Sequence, residues 1–233
     1  LDYGIAQALH DAGAEVVLMD ILDIVEESAQ QMRDGGANVY AVRVDISNEA
    51  DRIRAFNEAL GLLGNTLDIM VNGAGVQHRC KAVDFPKEQW ERIININLSS
   101  LFYMCQLAGA VMLKKGSGRI INISSMLAFF GGMMIPAYAA AKGAVAQLTK
   151  ALSNEWAGSG VNVNAIAPGY MQTDWTASMR AFPEQIEETT KRIPKGRWGT
   201  PDDVKGLAVF LASDASEYIS GAVIPVDGGY LAR

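Results

Sequence analysis

Short apolar runs alternate with amphipathic stretches along the whole chain. This is the pattern of a parallel sheet covered by helices on both faces, an α/β fold of the doubly wound kind. Strands are expected at 15–20, 39–44, 67–72, 118–125, 161–167 and 222–226. Helices are expected at 5–12, closed by Gly13, at 24–32, ended by Gly35 and Gly36, and at 48–63, capped by Ser47. Pro86 opens another helix, 99–115 is a long one, and a further helix ends near Ala157. Residues 173–191 read as a polar helical lid carrying Trp175, Met179 and Phe182, and Thr200 caps a helix over 201–212. No repeat, low-complexity segment or linker interrupts the pattern, so residues 1–233 are expected to form a single domain.

Composition narrows the function. The chain is 49% hydrophobic with a formal net charge of −6, which argues against a nucleic-acid or membrane-surface partner. No apolar run reads as long enough to span a bilayer, and no signal peptide is visible. Cys80 and Cys105 have neither framework nor metal spacing, and read as reduced thiols in the cytoplasm. His10 and His78 are too few for a histidine-based metal site or a Ser-His-Asp hydrolase.

The sharpest chemical signal is Tyr138 and Lys142, four apart and so on one helical face. An ammonium beside a phenol favours the phenolate and lowers its pKa from about 10. A phenol tuned in this way can exchange a proton with a carbonyl or alcohol. Ser125 ends a strand thirteen residues upstream, and its hydroxyl can face the same point. Adjacent strand residues face opposite ways, so only one of Ser124 and Ser125 can do so. Taken alone, the Tyr-Lys pair could equally be a half-buried tyrosine beside a solvated lysine.

These residues resemble the short-chain dehydrogenase/reductase family. The likeness extends to Trp90 through Asn97, Asn72-Gly-Ala-Gly75, Pro168-Gly169 with Thr173, and Asp227-Gly-Gly229. It implies a Rossmann-type domain and a catalytic set of Asn97, Ser125, Tyr138 and Lys142. In that set Tyr138 transfers the proton, Lys142 tunes it and holds the nicotinamide ribose, Ser125 binds the substrate oxygen, and Asn97 holds a water linking Lys142 to solvent. The likeness further implies NAD as cofactor and a homotetramer. The tetramer would pair the helices at 99–115 and after Tyr138 across one axis, and 201–211 with the last strand across another.

Asp20 ends the second strand of such a fold, where a carboxylate accepts the ribose hydroxyls and repels a 2′-phosphate. With no Arg or Lys next to it in sequence, it favours NAD over NADP. Asp45 and Ile46 resemble the adenine-binding pair. Asn72, Gly73, Ala74 and Gly75 form the turn beside the adenosine, with Gly73 where the family usually has asparagine. Pro168, Gly169, Met171 and Thr173 would pass over the nicotinamide.

The family opens with a strand and a turn of the form T-G-x-x-x-G-x-G, and both are absent from this sequence. About twenty residues are therefore expected before Leu1, the alternative being a truncated chain unable to bind cofactor. Asp2 falls where the last glycine of that turn is expected. It reads either as a helix cap or as an anion competing with a pyrophosphate.

The substrate is less legible. Several stretches, including Gly196-Arg-Trp-Gly199 and Val226 to Arg233, resemble the sugar-acid branch of the family. His78 and Arg79 follow the Asn72–Gly75 turn, and an arginine there can grip a carboxylate, although the loop could also be merely solvated. Arg197 is a second candidate that could equally be structural. A reductase of acyl-carrier-protein thioesters and a non-catalytic scaffold remain as rival readings.

Overall fold

The computed structural model describes residues 1–36, 38–173, 176–177 and 182–232. Six parallel strands are present: β1 (Val16–Asp20), β2 (Val39–Arg43), β3 (Ile69–Asn72), β4 (Gly118–Ile123), β5 (Val161–Pro168) and β6 (Val223–Val226). Eight α-helices are described: α1 (Asp2–Asp11), α2 (Ile24–Asp34), α3 (Glu49–Leu62), α4 (Lys87–Ile94), α5 (Leu101–Lys115), α6 (Pro136–Trp156), α7 (Pro183–Lys191) and α8 (Asp202–Ala212). Trp175 and Met179 lie outside the described residues, and Phe182 is exposed.

The strands do not form one continuous sheet. β1 pairs only with β2, from Val16 opposite Val39 to Asp20 opposite Arg43. The order in the second sheet is β3-β4-β5-β6. A cavity of about 550 Å³ lies between β1 and β3, lined by Val17, Met19, Leu60, Leu63, Ile69 and Val71 among others. The described strands bear out the expected parallel α/β architecture with its first strand absent, and the cavity separates β1–β2 from β3–β6.

β4 and β5 are buried along their entire length, as central parallel strands with helices on both faces must be. Their asparagines survive burial because each is satisfied. Asn122 Nδ2 donates to Thr149 Oγ1 at 3.0 Å, and Asn122 Oδ1 accepts from Asn72 Nδ2 at 3.0 Å. Thr149 in turn donates to the Val145 carbonyl at 2.9 Å. Cys105 joins this network from α5, and burial pushes its thiol pKa up to about 12. One buried chain of hydrogen bonds thus ties β3 and β4 to α6.

Helix boundaries follow local chemistry. Asn48, not Ser47, caps α3, its side chain accepting from Asp51 N at 3.0 Å. Ser47 is drawn instead to Asp45, to which both its N–H and its hydroxyl donate. Residues 87–115 form one continuous helical stretch that is long and apolar enough, by length and composition, to cross a membrane, against the sequence expectation. Here Leu101, Met104, Cys105, Ala108 and Met112 of that stretch are spent on the protein core. Its middle, Asn95–Ser100, is a π-helical turn, and Ser100 Oγ donates to the Asn95 carbonyl at 2.9 Å.

The buried network makes a stability prediction. Thr149→Val keeps the shape but leaves Asn122 Nδ2 without an acceptor, at a cost of about 1–3 kcal/mol. The melting temperature should fall by several degrees, and Thr149→Ser should restore most of the loss. A melting curve for Thr149→Val that overlays wild type would refute the network's role.

Candidate active site

The ends of β4 and β5 lie side by side, Ser124 N donating to the Ile166 carbonyl at 2.8 Å. Immediately beyond β4, Ser125 is extended (φ −164°), and its Oγ accepts from Leu127 N at 3.2 Å. Pro136 starts α6 with φ already suited to a helix, which sets Tyr138 in the first turn and Lys142 one turn later. The Tyr138 hydroxyl is hydrogen-bonded to Ser125. Ser124 faces the other way, donating to the Lys142 carbonyl at 3.0 Å. The two serines therefore divide as strand alternation requires, and Ser125 is the one that meets Tyr138.

One expectation about this group needs correction. Lys142 does not lower the Tyr138 pKa here. Its Nζ donates to the Ile123 carbonyl at 2.5 Å and lies 5.6 Å from the Tyr138 ring centroid. Desolvation dominates instead and pushes the phenol up to about 12, against the pull of the Ser125 hydrogen bond. The same burial brings the Lys142 ammonium down to about 8. Asn97 lies in the π-helical turn and is buried. Its Oδ1 accepts from Val76 N at 2.8 Å and its Nδ2 donates to the Val76 carbonyl at 2.9 Å. Asn97 is thus a clamp on the loop that follows β3.

The cavity between β1 and β3 is lined by Asp2, Asp20, Ile46, Asn72, Gly73 and Ala74 at the C-terminal ends of these strands, and it runs to Gly13, Ala14, Thr66 and Leu67 at the other ends. Asp45 is not among the lining residues, because Ser47 occupies its Oδ1. Gly75 also stands apart from that lining, as do Pro168, Gly169, Met171 and Thr173 at the end of β5. Gly169 packs tightly enough on Asp227 that a Cβ would come within 2.8 Å of it. Met171 is buried and bridges to Gly199, and Thr173 N donates to Thr176 Oγ1 at 3.2 Å.

Sequence reasoning missed a cation beside Asp20. Arg43 is its direct partner across the β1–β2 ladder, and the Arg43 guanidinium donates to the Ile21 carbonyl at 3.0 Å and pairs with Asp23 at 2.8 Å. No neighbour in sequence announces this contact, because the register supplies it.

Of the substrate candidates, His78 is half-buried and packs edge-on against Phe85 at 5.5 Å. Arg79 is exposed, and its charge acts on Tyr170. Arg197 makes the structural contact that was its alternative reading. Its guanidinium forks onto both Asp203 oxygens at 2.7 Å, while Asp203 also accepts from Thr200 N at the start of α8. This pairing holds the Asp203 carboxyl well below the usual carboxylate range.

A family profile described as Enoyl-(Acyl carrier protein) reductase matches residues 2–231. The chain belongs to the short-chain dehydrogenase/reductase family. This family uses a nicotinamide cofactor. The chain is 48% identical over 231 residues to a 2-dehydro-3-deoxy-D-gluconate 5-dehydrogenase of Bacillus subtilis, covering 99% of this chain and 90% of that protein. A 3-oxoacyl-[acyl-carrier-protein] reductase of Thermotoga maritima is 36% identical over 222 residues, covering 93% of this chain and 87% of that protein. A solved gluconate 5-dehydrogenase from Burkholderia cenocepacia, in complex with NADP and tartrate, superposes with a TM-score of 0.93 at 35% identity. That match covers 99% of this chain and 90% of the other.

In this short-chain dehydrogenase/reductase, Asp20 stands exposed at the tip of β1, and the cavity lining beside it is largely apolar. The N-terminus of α1 is different. Asp2 lines the cavity, and desolvation raises its pKa while the N-terminal ammonium and Lys142 pull the other way. A Cβ on Gly73 would fall 2.3–2.6 Å from the Asp2 carboxylate atoms. The two departures from the family pattern are therefore in contact, and the glycine makes room for the aspartate.

This contact should appear as a coupling. Gly73→Ala in the wild-type background should cost about 1–3 kcal/mol through overpacking. The same change in an Asp2→Ala background should cost much less. Thermal melts of the four proteins read the coupling directly, and additive effects would mean that the two residues do not meet.

Proposed function

We propose that the protein interconverts a secondary alcohol and a ketone on a sugar acid, using NAD(H). The observation that carries this reading is the hydrogen-bonded pair of Ser125 and Tyr138 with Lys142 one turn beyond, at the strand ends beside the cleft. Likeness to sugar-acid dehydrogenases supports the substrate class. The bound nicotinamide supplies or accepts a hydride. Tyr138, with its pKa raised to about 12, is a proton donor at neutral pH and can protonate a carbonyl oxygen. Ser125 donates to that oxygen as its charge develops. Lys142 would take up the ribose and approach the phenol by leaving the Ile123 carbonyl. In the oxidative direction Tyr138 must accept the alcohol proton, which that movement of the ammonium would assist.

For the cofactor, Asp20 supports NAD, since its carboxylate faces the cavity and repels a 2′-phosphate. Arg43 stands close enough to favour NADP, but it is engaged by Ile21 and Asp23. We further propose that residues 1–233 act as one domain, in a cytoplasmic homotetramer. Tyr103 on α5 and Tyr218 ahead of β6, both exposed, would be covered in such an assembly. An acyl-carrier-protein thioester as substrate is favoured by no observation beyond the match to such a reductase.

Tyr138→Phe should reduce turnover by about 10²–10⁴-fold while dinucleotide affinity stays nearly unchanged, because the ring and its packing remain. Initial rates of NADH formation over a panel of sugar acids test this, and a variant within a few-fold of wild type would reject the mechanism. Asp20→Ala should weaken NAD binding and narrow the preference for NAD over NADP. Fluorescence titration with both dinucleotides measures it, and a wild type that prefers NADP would overturn the NAD assignment.

A further inference from the structure

Away from the Ser125–Tyr138–Lys142 group, one cluster joins uncommitted cations to phenols. Arg192 follows α7, and its guanidinium lies 4.8 Å from the ring centroid of Tyr230. Tyr230 meets Tyr170 edge-on at 5.5 Å, and the two side chains are hydrogen-bonded. Arg192 and Arg79, from different loops, both act on the Tyr170 phenol. Tyr230 also packs with the buried side chain of Met126, the residue next to Ser125. The cluster therefore begins one residue from the reacting hydroxyl.

The other arginines show why these two stand out. Arg33, Arg43, Arg54, Arg119 and Arg197 each hold a carboxylate. Among the described residues four arginines have no acidic partner: Arg52 is buried over Tyr103, Arg92 is exposed on α4, and Arg79 and Arg192 are the exposed pair that act on the Tyr170 phenol. A guanidinium without a partner beside two phenols is a ready fork for a carboxylate. Burial raises the Tyr170 pKa and keeps its hydroxyl protonated as a donor.

We propose that Arg192, together with Arg79, Tyr170 and Tyr230, seats the carboxylate of the substrate and so selects sugar acids over neutral sugars. This rests on the sugar-acid reading above and names the side chains that would enforce it. Arg192 had no signal in the sequence, since its approach to Tyr230 joins the end of α7 to the C-terminal segment.

The test titrates D-gluconate and its uncharged isostere D-gluconamide into the NADH-loaded full chain by calorimetry, alongside initial rates over the sugar-acid panel. Arg192→Gln should weaken gluconate binding about ten- to hundredfold, the range for a lost charge-assisted fork. It should leave gluconamide within a few-fold and act on KM more than kcat. Arg192→Lys keeps the charge without the fork and should lose less; it also serves if Arg192→Gln fails to fold. Equal affinity of wild type for the two ligands, or an equal loss for both in the variant, would overturn the carboxylate site. Arg192-dependent gluconate binding without oxidation of any sugar acid would support the site and sink the reaction reading. Sugar acids oxidised with the same KM in both proteins would do the reverse.

Discussion

The candidate site depends on one joint, where α6 docks against the end of β4. The Lys142 ammonium caps the Ile123 carbonyl, and the Ser124 hydroxyl caps the Lys142 carbonyl. These reciprocal bonds are buried, so a partner lost from either would leave an unsatisfied polar group in the interior. The joint fixes the height of α6 along the strand, and hence the meeting of Tyr138 with Ser125. It also holds the ammonium on a carbonyl, so the desolvation that raises the phenol goes unopposed by Lys142. Geometry and electrostatics pull in opposite directions in this state. The ammonium has to change partner before the tyrosine can lose its proton readily.

Much of this was legible in the sequence, for physical reasons. β4 and β5 read clearly because both faces are buried, which leaves long apolar runs. The thirteen-residue spacing from Ser125 to Tyr138 pointed to the meeting of the two hydroxyls. What stayed hidden depends on register or on contacts between distant segments. Arg43 reaches the neighbourhood of Asp20 only through the β1–β2 ladder. Asp2 meets Gly73 across the cavity mouth. Competition was hidden too, as the sequence could not show that Asp203 would claim Arg197 or that Asp45 would draw Ser47 away from the cap of α3.

Charge in this molecule is organised locally. A net charge of −6 would repel an anionic substrate at long range, yet five of the nine described arginines are held in ion pairs within the fold. Selectivity for an anion then falls to the few guanidinium groups left without a carboxylate. The cleft shows the converse, with the Asp2 carboxylate set at a helix N-terminus where any bound phosphate would feel it.

The placement of the two thiols gives the molecule an internal clock. Cys105 is sealed between α5 and the strand asparagines, and its pKa of about 12 leaves almost no thiolate at neutral pH. Cys80 is only partly buried, at the loop that follows β3. An alkylating reagent should therefore label the chain in two stages. The second stage would run only as fast as the core opens, so its rate would time the loosening of the framework that carries the Ser125–Tyr138 pair.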